Sequence, residues 1–261
     1  MKQASWKTTI NKDFSCKKPI LIEGLPGIGN VGKLVVDYMV DILKAKKIGS
    51  FFSFDMPNSV FVTHDGSVQL PSIELYHVNR NGQDFLLLSG DAQPSAERPS
   101  YEFTSELLTL VSGFGCKQVI ALGGIGLPEE PTDPQVYIAG NDKKLIKQFT
   151  KFGVNSEVFG VVGPIVGVSG LLLGLADIHK IKAVSLLGET FGHPMYIGLK
   201  ESRIMLEVLD KKFKLKIDFS ELDEEITLVE EELAKEGLGP DVAAKSSRLG
   251  KFIKKDTNYI G

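Results

Sequence analysis

Cysteine is scarce: Cys16 and Cys116 are the only two in 261 residues. Two cysteines cannot build a disulfide framework, and these have no metal-ligand spacing. A reducing cytoplasm is therefore the expected compartment. Histidine is nearly as scarce. His64, His77, His179 and His193 form no H-E-x-x-H or H-x-H pair, so no metal site is legible. Net charge is small, at −3, and nothing global points to nucleic acid or an anionic membrane as a partner. The first residues, MKQASWKTTINKDF, are polar and lack an apolar h-region, which argues against a secretory signal.

Charge is missing altogether from residues 158–176, VFGVVGPIVGVSGLLLGLA. That length imitates a membrane span, and Gly163…Gly167 and Gly170…Gly174 have G-x-x-x-G spacing. Five glycines and a proline make a poor lone span, however, and there is no second candidate. The expected structure is a buried strand at 158–162, a Gly-Pro turn, and a buried helix from about Pro164.

What is present is a globular composition, 43% hydrophobic and 24% charged. Apolar runs at 20–22, 51–54, 85–88, 119–122, 158–162 and 183–187 are continuous rather than alternating, as in a parallel sheet covered on both faces. Residues 31–43, 101–111 and 143–152 have helical periodicity between them. Alternating strands and helices mean an α/β fold. Asp65-Gly66 and Asn81-Gly82 are hairpin signals, and 72–78 alternates like a half-solvated strand, so an antiparallel excursion is expected between 56 and 84. Residues 123–134, GGIGLPEEPTDP, read as a long loop, either a binding edge or a rigid connection.

The expected organisation is a core over 1–218, an amphipathic acidic helix over 219–236, and a flexible basic tail over 237–261. Ser220-Glu221-Leu222-Asp223 resembles a capping box. Phe219, Leu222, Ile226, Val229 and Leu233 then form a stripe that needs a partner surface, either the chain's own domain or another subunit. Glu224, Glu225, Glu230, Glu231 and Glu232 make the other faces acidic.

Two readings compete for Gly27-Ile28-Gly29-Asn30-Val31-Gly32, a literal G-x-G-x-x-G between a strand and a helix pattern. In one, amides at 29–32 hold the pyrophosphate of a dinucleotide and Asp55 takes a ribose, making an NAD(P)-dependent oxidoreductase. In the other, the glycines allow a tight turn and close packing. Gly32-Lys33 is followed by Leu34, so this is not a P-loop. Ser169 sits in Gly167-Val168-Ser169-Gly170, which lacks the G-x-S-x-G spacing of a nucleophile elbow. Asp91 and Glu189 follow strands, where open parallel sheets collect ligands, and capping of the following turn explains them too. A nucleoside- or peptide-processing enzyme needs those two and His193 in one pocket.

Several stretches together resemble the proteasome assembly chaperone family in its archaeal and bacterial form. They are Glu23-Gly24-Leu25-Pro26-Gly27-Ile28-Gly29-Asn30-Val31-Gly32, Ser89-Gly90-Asp91-Ala92-Gln93-Pro94, and Ala121-Leu122-Gly123-Gly124. Residues 163–173, Leu187-Gly188-Glu189-Thr190, and Leu215-Lys216-Ile217-Asp218-Phe219-Ser220 also fit. The resemblance covers about residues 15–235. It implies a phosphorylase/hydrolase-like α/β fold, no enzymatic activity and no cofactor. It further implies an ATP-independent homo-oligomer that engages 20S proteasome α-subunits, with no nucleic-acid or membrane partner. The loop of Gly24, Pro26, Gly27, Gly29, Asn30 and Gly32 is then structural. Two places depart from the family pattern. Met195-Tyr196-Ile197-Gly198 intervene after Gly192-His193-Pro194. At the tail, Tyr259, Ile260 and Gly261 stand where some archaeal members carry hydrophobic-Tyr-X, with the tyrosine one position early. Those three residues are the expected partner-binding segment, by terminal capture and avidity.

Overall fold

Residues 6–63 and 65–236 are described by the computed structural model. The strands are β1 (Lys7–Ile10), β2 (Ile20–Gly24), β3 (Lys46–Phe52), β4 (Phe61–Val62), β5 (Val68–Gln69), β6 (Ile73–Arg80), β7 (Gln83–Gly90), β8 (Gln118–Leu127), β9 (Val136–Gly140) and β10 (Lys182–Phe191). The helices are α1 (Val31–Ile42), α2 (Glu97–Gly113), α3 (Lys143–Phe149), α4 (Val168–Leu175), α5 (Leu199–Phe213) and α6 (Ser220–Glu236).

The continuous apolar runs become the middle of one sheet, ordered β1-β3-β6-β7-β2-β8-β10-β9. Its central strands β7, β2, β8 and β10 are parallel. The outer strands β1, β3, β6 and β9 pair antiparallel. The central strands read as unbroken apolar runs because both faces are covered. In β7, Phe85 and Leu87 face one core with Ile20 and Ile22, while Leu86 and Leu88 face the other with Leu21. That is the period-2 alternation of a strand. The first core is closed by α1, α3, α5 and α6, the second by α2 and α4 with Trp6.

The expected hairpin forms at Asn81-Gly82. Both residues have positive φ, 52° and 80°, as a two-residue type I′ turn between β6 and β7 requires. The Asp65-Gly66 turn joins β4 and β5, a separate two-stranded arm between β3 and β6.

Three expectations need correction. The run at 51–54 is displaced: the strand is Lys46–Phe52, Ser53 turns, and Phe54 stands exposed. Residues 123–126 are not loop, because β8 continues to Leu127 beside β10 and the connection is only 128–135. Residues 158–162 form no strand. The chain pairs with the edge strand β9 only at Asn155. It then leads over 156–167 from α3 on one face to α4 on the other, turning at 158–162, where Val162 N donates to Val158 O at 2.9 Å. Gly160 and Gly167 take φ of 80° and 83°, and Phe159 is fully exposed. The helix expected at Pro164 or soon after opens at Val168, following Gly167. No helix among the described residues is long and apolar enough to cross a membrane.

The stripe on α6 docks on its own chain. Leu222 and Val229 are buried, and Phe219 and Ile226 pack against the first core. Arg203 of α5 lies 4.0 Å over the Phe219 ring and binds Asp223 at 2.8 Å. The cap-type bond comes from Asp218, which accepts from Ser220 N at 3.0 Å; Ser220 is itself the first helical residue. Leu233 lies outside the described side chains. Leu222→Ala is expected to lower the unfolding free energy by about 2–4 kcal/mol. Leu228→Ala, on the exposed face, should stay within about 0.5 kcal/mol. Denaturant titration of the two variants checks this.

Candidate functional site: the glycine turn and its cleft

Strand β2 runs into the glycine turn at the carboxyl end of the sheet. Gly29 (φ 60°) and Asn30 (φ 51°) are successive left-handed residues, and Asn30 N donates to Gly27 O at 2.9 Å. This folds the chain back so that α1 starts at Val31. Close approach decides which glycines are needed. A Cβ on Gly24 collides with the carbonyl of Gly32, and a Cβ on Gly32 with the carbonyl of Leu122 in β8. A Cβ on Gly29 falls 2.6 Å from Thr190 Oγ1 of β10. Gly27 is different: its φ is an extended −158°, and the nearest atom to a Cβ there is 4.0 Å away.

Asp55 does not complete a dinucleotide site. The β6–β7 hairpin separates β3 from β2, which puts the end of β3 about 14 Å from the glycine turn, three strand spacings across. A dinucleotide fold places that acid at the end of the neighbouring strand. Asp55 closes a local turn instead, its N–H bonded to Ser53 Oγ at 3.1 Å. The oxidoreductase reading is not supported.

The site holds an ionisable group that the sequence reading passed over. Glu23, the one charged residue of β2, is wholly buried. Its Oε2 accepts from Ser169 Oγ at 3.0 Å and its Oε1 from Leu25 N at 3.1 Å. Burial outweighs both hydrogen bonds and pushes its carboxyl up to about 7. Gln93 makes a second tie, donating to Pro26 O at 2.6 Å and accepting from Val168 N at 3.3 Å. Glu23 and Gln93 thus lash the glycine turn to the start of α4. Between these elements opens a cleft of about 840 Å³, walled by Leu25, Ile28, Pro94, Tyr101, Ile165 and Leu171.

The residues 195–198 that depart from the family pattern are built into the same region. Gly198 N donates to Gly29 O at 2.8 Å, which ties the β10–α5 connection to the glycine turn. Tyr196 Oη lies 3.1 Å from both Glu130 Oε1 and Glu201 Oε1. One phenolic proton serves one carboxylate, so the second hydrogen bond needs a protonated carboxyl. Glu201 is buried, and burial raises its carboxyl above the usual range.

The candidate catalytic residues do not converge. Asp91 accepts from Ser72 N at 2.9 Å. Glu189 accepts from Gln135 N at 3.0 Å and from Tyr137 Oη at 3.3 Å. His193 stacks on Phe191 and accepts from Met195 N. Strands β2 and β8 lie between β7, which leads to Asp91, and β10, which carries Glu189. The nucleoside- or peptide-processing reading loses its pocket. Ser169 is brought to Glu23 alone. His64, Tyr259, Ile260 and Gly261 lie outside the described residues.

The glycine turn and Glu23 each yield an expected outcome. Gly32→Ala should be strongly destabilising, by at least about 2 kcal/mol, and Gly27→Ala should stay within about 1 kcal/mol; thermal and denaturant unfolding read both. A group whose folded pKa is raised lowers stability as pH climbs from its unfolded to its folded value. For Glu23 the window runs from 4.5 to about 7. Glu23→Gln lacks this titration, so between pH 5 and pH 8 it should gain about 2–3 kcal/mol relative to wild type. Unfolding free energies at the two pH values measure the gain.

Comparison with known proteins places this geometry. Pyrococcus furiosus PbaB, an archaeal proteasome activator, superposes with a TM-score of 0.80 and is 32% identical, over 89% of this chain and 99% of that one. Pyrococcus furiosus PbaA, an archaeal homologue of proteasome-assembly chaperone, gives a TM-score of 0.75 at 24% identity over 89% and 92% of the two chains. Uncharacterized protein MJ1210 of Methanocaldococcus jannaschii is 29% identical over 244 residues, 93% of this chain and 92% of that protein. Residues 21–236, from β2 through the last residue of α6, match the model of the PAC2 family, and the chain belongs to that family of proteasome assembly chaperones and their relatives.

Proposed function

We propose that this chain is an ATP-independent, non-enzymatic chaperone or regulator of the proteasome, which works in the cytoplasm and binds 20S α-subunits as a homo-oligomer. The observation that supports this most is the likeness to PbaB, a proteasome activator, across nearly the whole of that protein. The local chemistry agrees. The ionisable and hydroxyl groups around the glycine turn act as ties between loops. Ser169 and the Leu25 amide both donate to Glu23, hydrogen bonds that hold the glycine turn to α4. The glycines at 24, 29 and 32 serve backbone packing, and Pro26 and Asn30 shape the same turn.

The tail, 237–261, supplies the second element of the proposal. It is basic, with Lys245, Arg248, Lys251, Lys254 and Lys255, and it contains Tyr259, Ile260 and Gly261. An aromatic and an aliphatic residue on a charged segment suit an apolar pocket between subunits. Several tails on one oligomer raise the effective concentration of each.

Surface plasmon resonance with immobilised 20S α-subunits tests this. The full chain should bind with a Kd of about 10 µM or tighter, and removal of residues 259–261 should weaken it at least about tenfold through loss of avidity. No binding by either form at about 50 µM contradicts the proposal.

A further inference from the structure

Apolar exposure is concentrated on one edge of the molecule. Because β7, β2, β8 and β10 are parallel, the segments after them share the carboxyl edge of the sheet with the arm after β3 and the 156–167 crossing. Among the described residues, the exposed large apolar side chains lie on that edge, except Ile178 and Leu228. Phe54, Val60, Val62, Val68 and Leu70 stand out on the β4–β5 arm. Phe159, Val161 and Val166 stand out on the crossing, with Ile28, Tyr101 and Met195 nearby. The arm's two strands pair with each other and not with the main sheet. A two-stranded hairpin is marginal by itself in water, and contiguous apolar clusters on a surface mark contact sites.

Charge is divided between the two edges. The arm carries Asp55 and Asp65, the 91–98 segment Asp91 and Glu97, the 128–135 loop Glu129, Glu130 and Asp133, and the crossing Glu157. Arg98 is the only lysine or arginine in those segments, and it pairs with Glu102 at 2.7 Å. The opposite, amino edge carries more lysines, with Lys12, Lys17 and Lys18 before β2, Lys44 before β3, Lys117 before β8 and Lys180 before β10, beside Asp13, Asp84, Asp142 and Asp177.

We propose that the carboxyl edge is the docking surface for another protein whose contact face is apolar at its centre and rimmed by lysine or arginine. Charge complementarity selects this occupant over a second copy. Two copies meeting edge to edge set carboxylates against carboxylates. A copy docked by its amino edge brings lysines, but only Ile178 as an exposed large apolar side chain. The crossing and the 93–101 segment line the cleft over the glycine turn, and the arm stands at the β3–β6 end of the same edge. Resting on the function proposed above, this assigns the contact with the 20S α-subunit to the core as well as to the tail.

The test measures binding of purified 20S proteasome to the full chain, to a Phe159→Ser/Val166→Ser double variant and to a Glu129→Gln/Glu157→Gln double variant. Sedimentation gives the mass of each. These side chains are exposed, so both variants should fold. The expected result is a loss of at least about tenfold for the apolar variant at unchanged mass. For the charge variant, association should slow and become less salt-dependent. Wild-type binding that neither variant alters overturns the edge proposal alone. A fall in oligomeric mass in the apolar variant makes the edge a self-contact and also overturns it. No binding by the wild type removes the proposed function and this surface with it.

Discussion

The fold depends on backbone touching backbone at the start of α1. Gly24 on β2 lies under the carbonyl of Gly32, and Gly32 lies under the carbonyl of Leu122 on β8. With no side chains between them, the first turn of the helix sits directly on two central strands. Everything around the cleft refers to that contact. The left-handed pair Gly29-Asn30 exists to bring the helix there. Thr190 fills the space beside Gly29, and Gly198 N reaches Gly29 O, so β10 and α5 take their places from the same turn.

Around this contact the polar groups act as ties. Glu23 and Gln93 hold the turn to α4, and Tyr196 holds the 128–135 loop to α5 through Glu130 and Glu201. Burial of the Glu23 and Glu201 carboxyls raises their affinity for protons. Such groups lie where an enzyme of this architecture keeps its catalytic residues, at the carboxyl ends of parallel strands. Here Glu23, Gln93 and Tyr196 hydrogen-bond within the protein, and the outward surface of the same edge is apolar and acidic.

Much of the fold was legible because the central strands are buried on both faces and read as unbroken apolar runs. The Asn81-Gly82 hairpin was legible because few residue pairs satisfy a turn with two positive φ values. The ambiguity of the G-x-G-x-x-G lay elsewhere. A phosphate site and a tight helix–sheet contact demand the same glycines, and only the strand order, with β6 and β7 between β2 and β3, separates them. Residues 158–162 misled because an apolar run resembles a buried strand whether its own chain covers it or, as at Phe159 and Val161, it stands exposed. Glu23 was missed because one carboxylate at the end of an apolar strand gives no spacing pattern; its meaning depends on Ser169, 146 residues away.

The central claim is that a PAC2-family core meets the proteasome through its acidic, apolar edge. Amide hydrogen exchange on the full chain, with and without 20S α-subunits, tests it most directly. The account predicts slowed exchange in 54–70 and 156–167 on complex formation, with the lysine-rich amino edge unchanged. Unchanged exchange throughout, or protection confined to the amino edge, would contradict it.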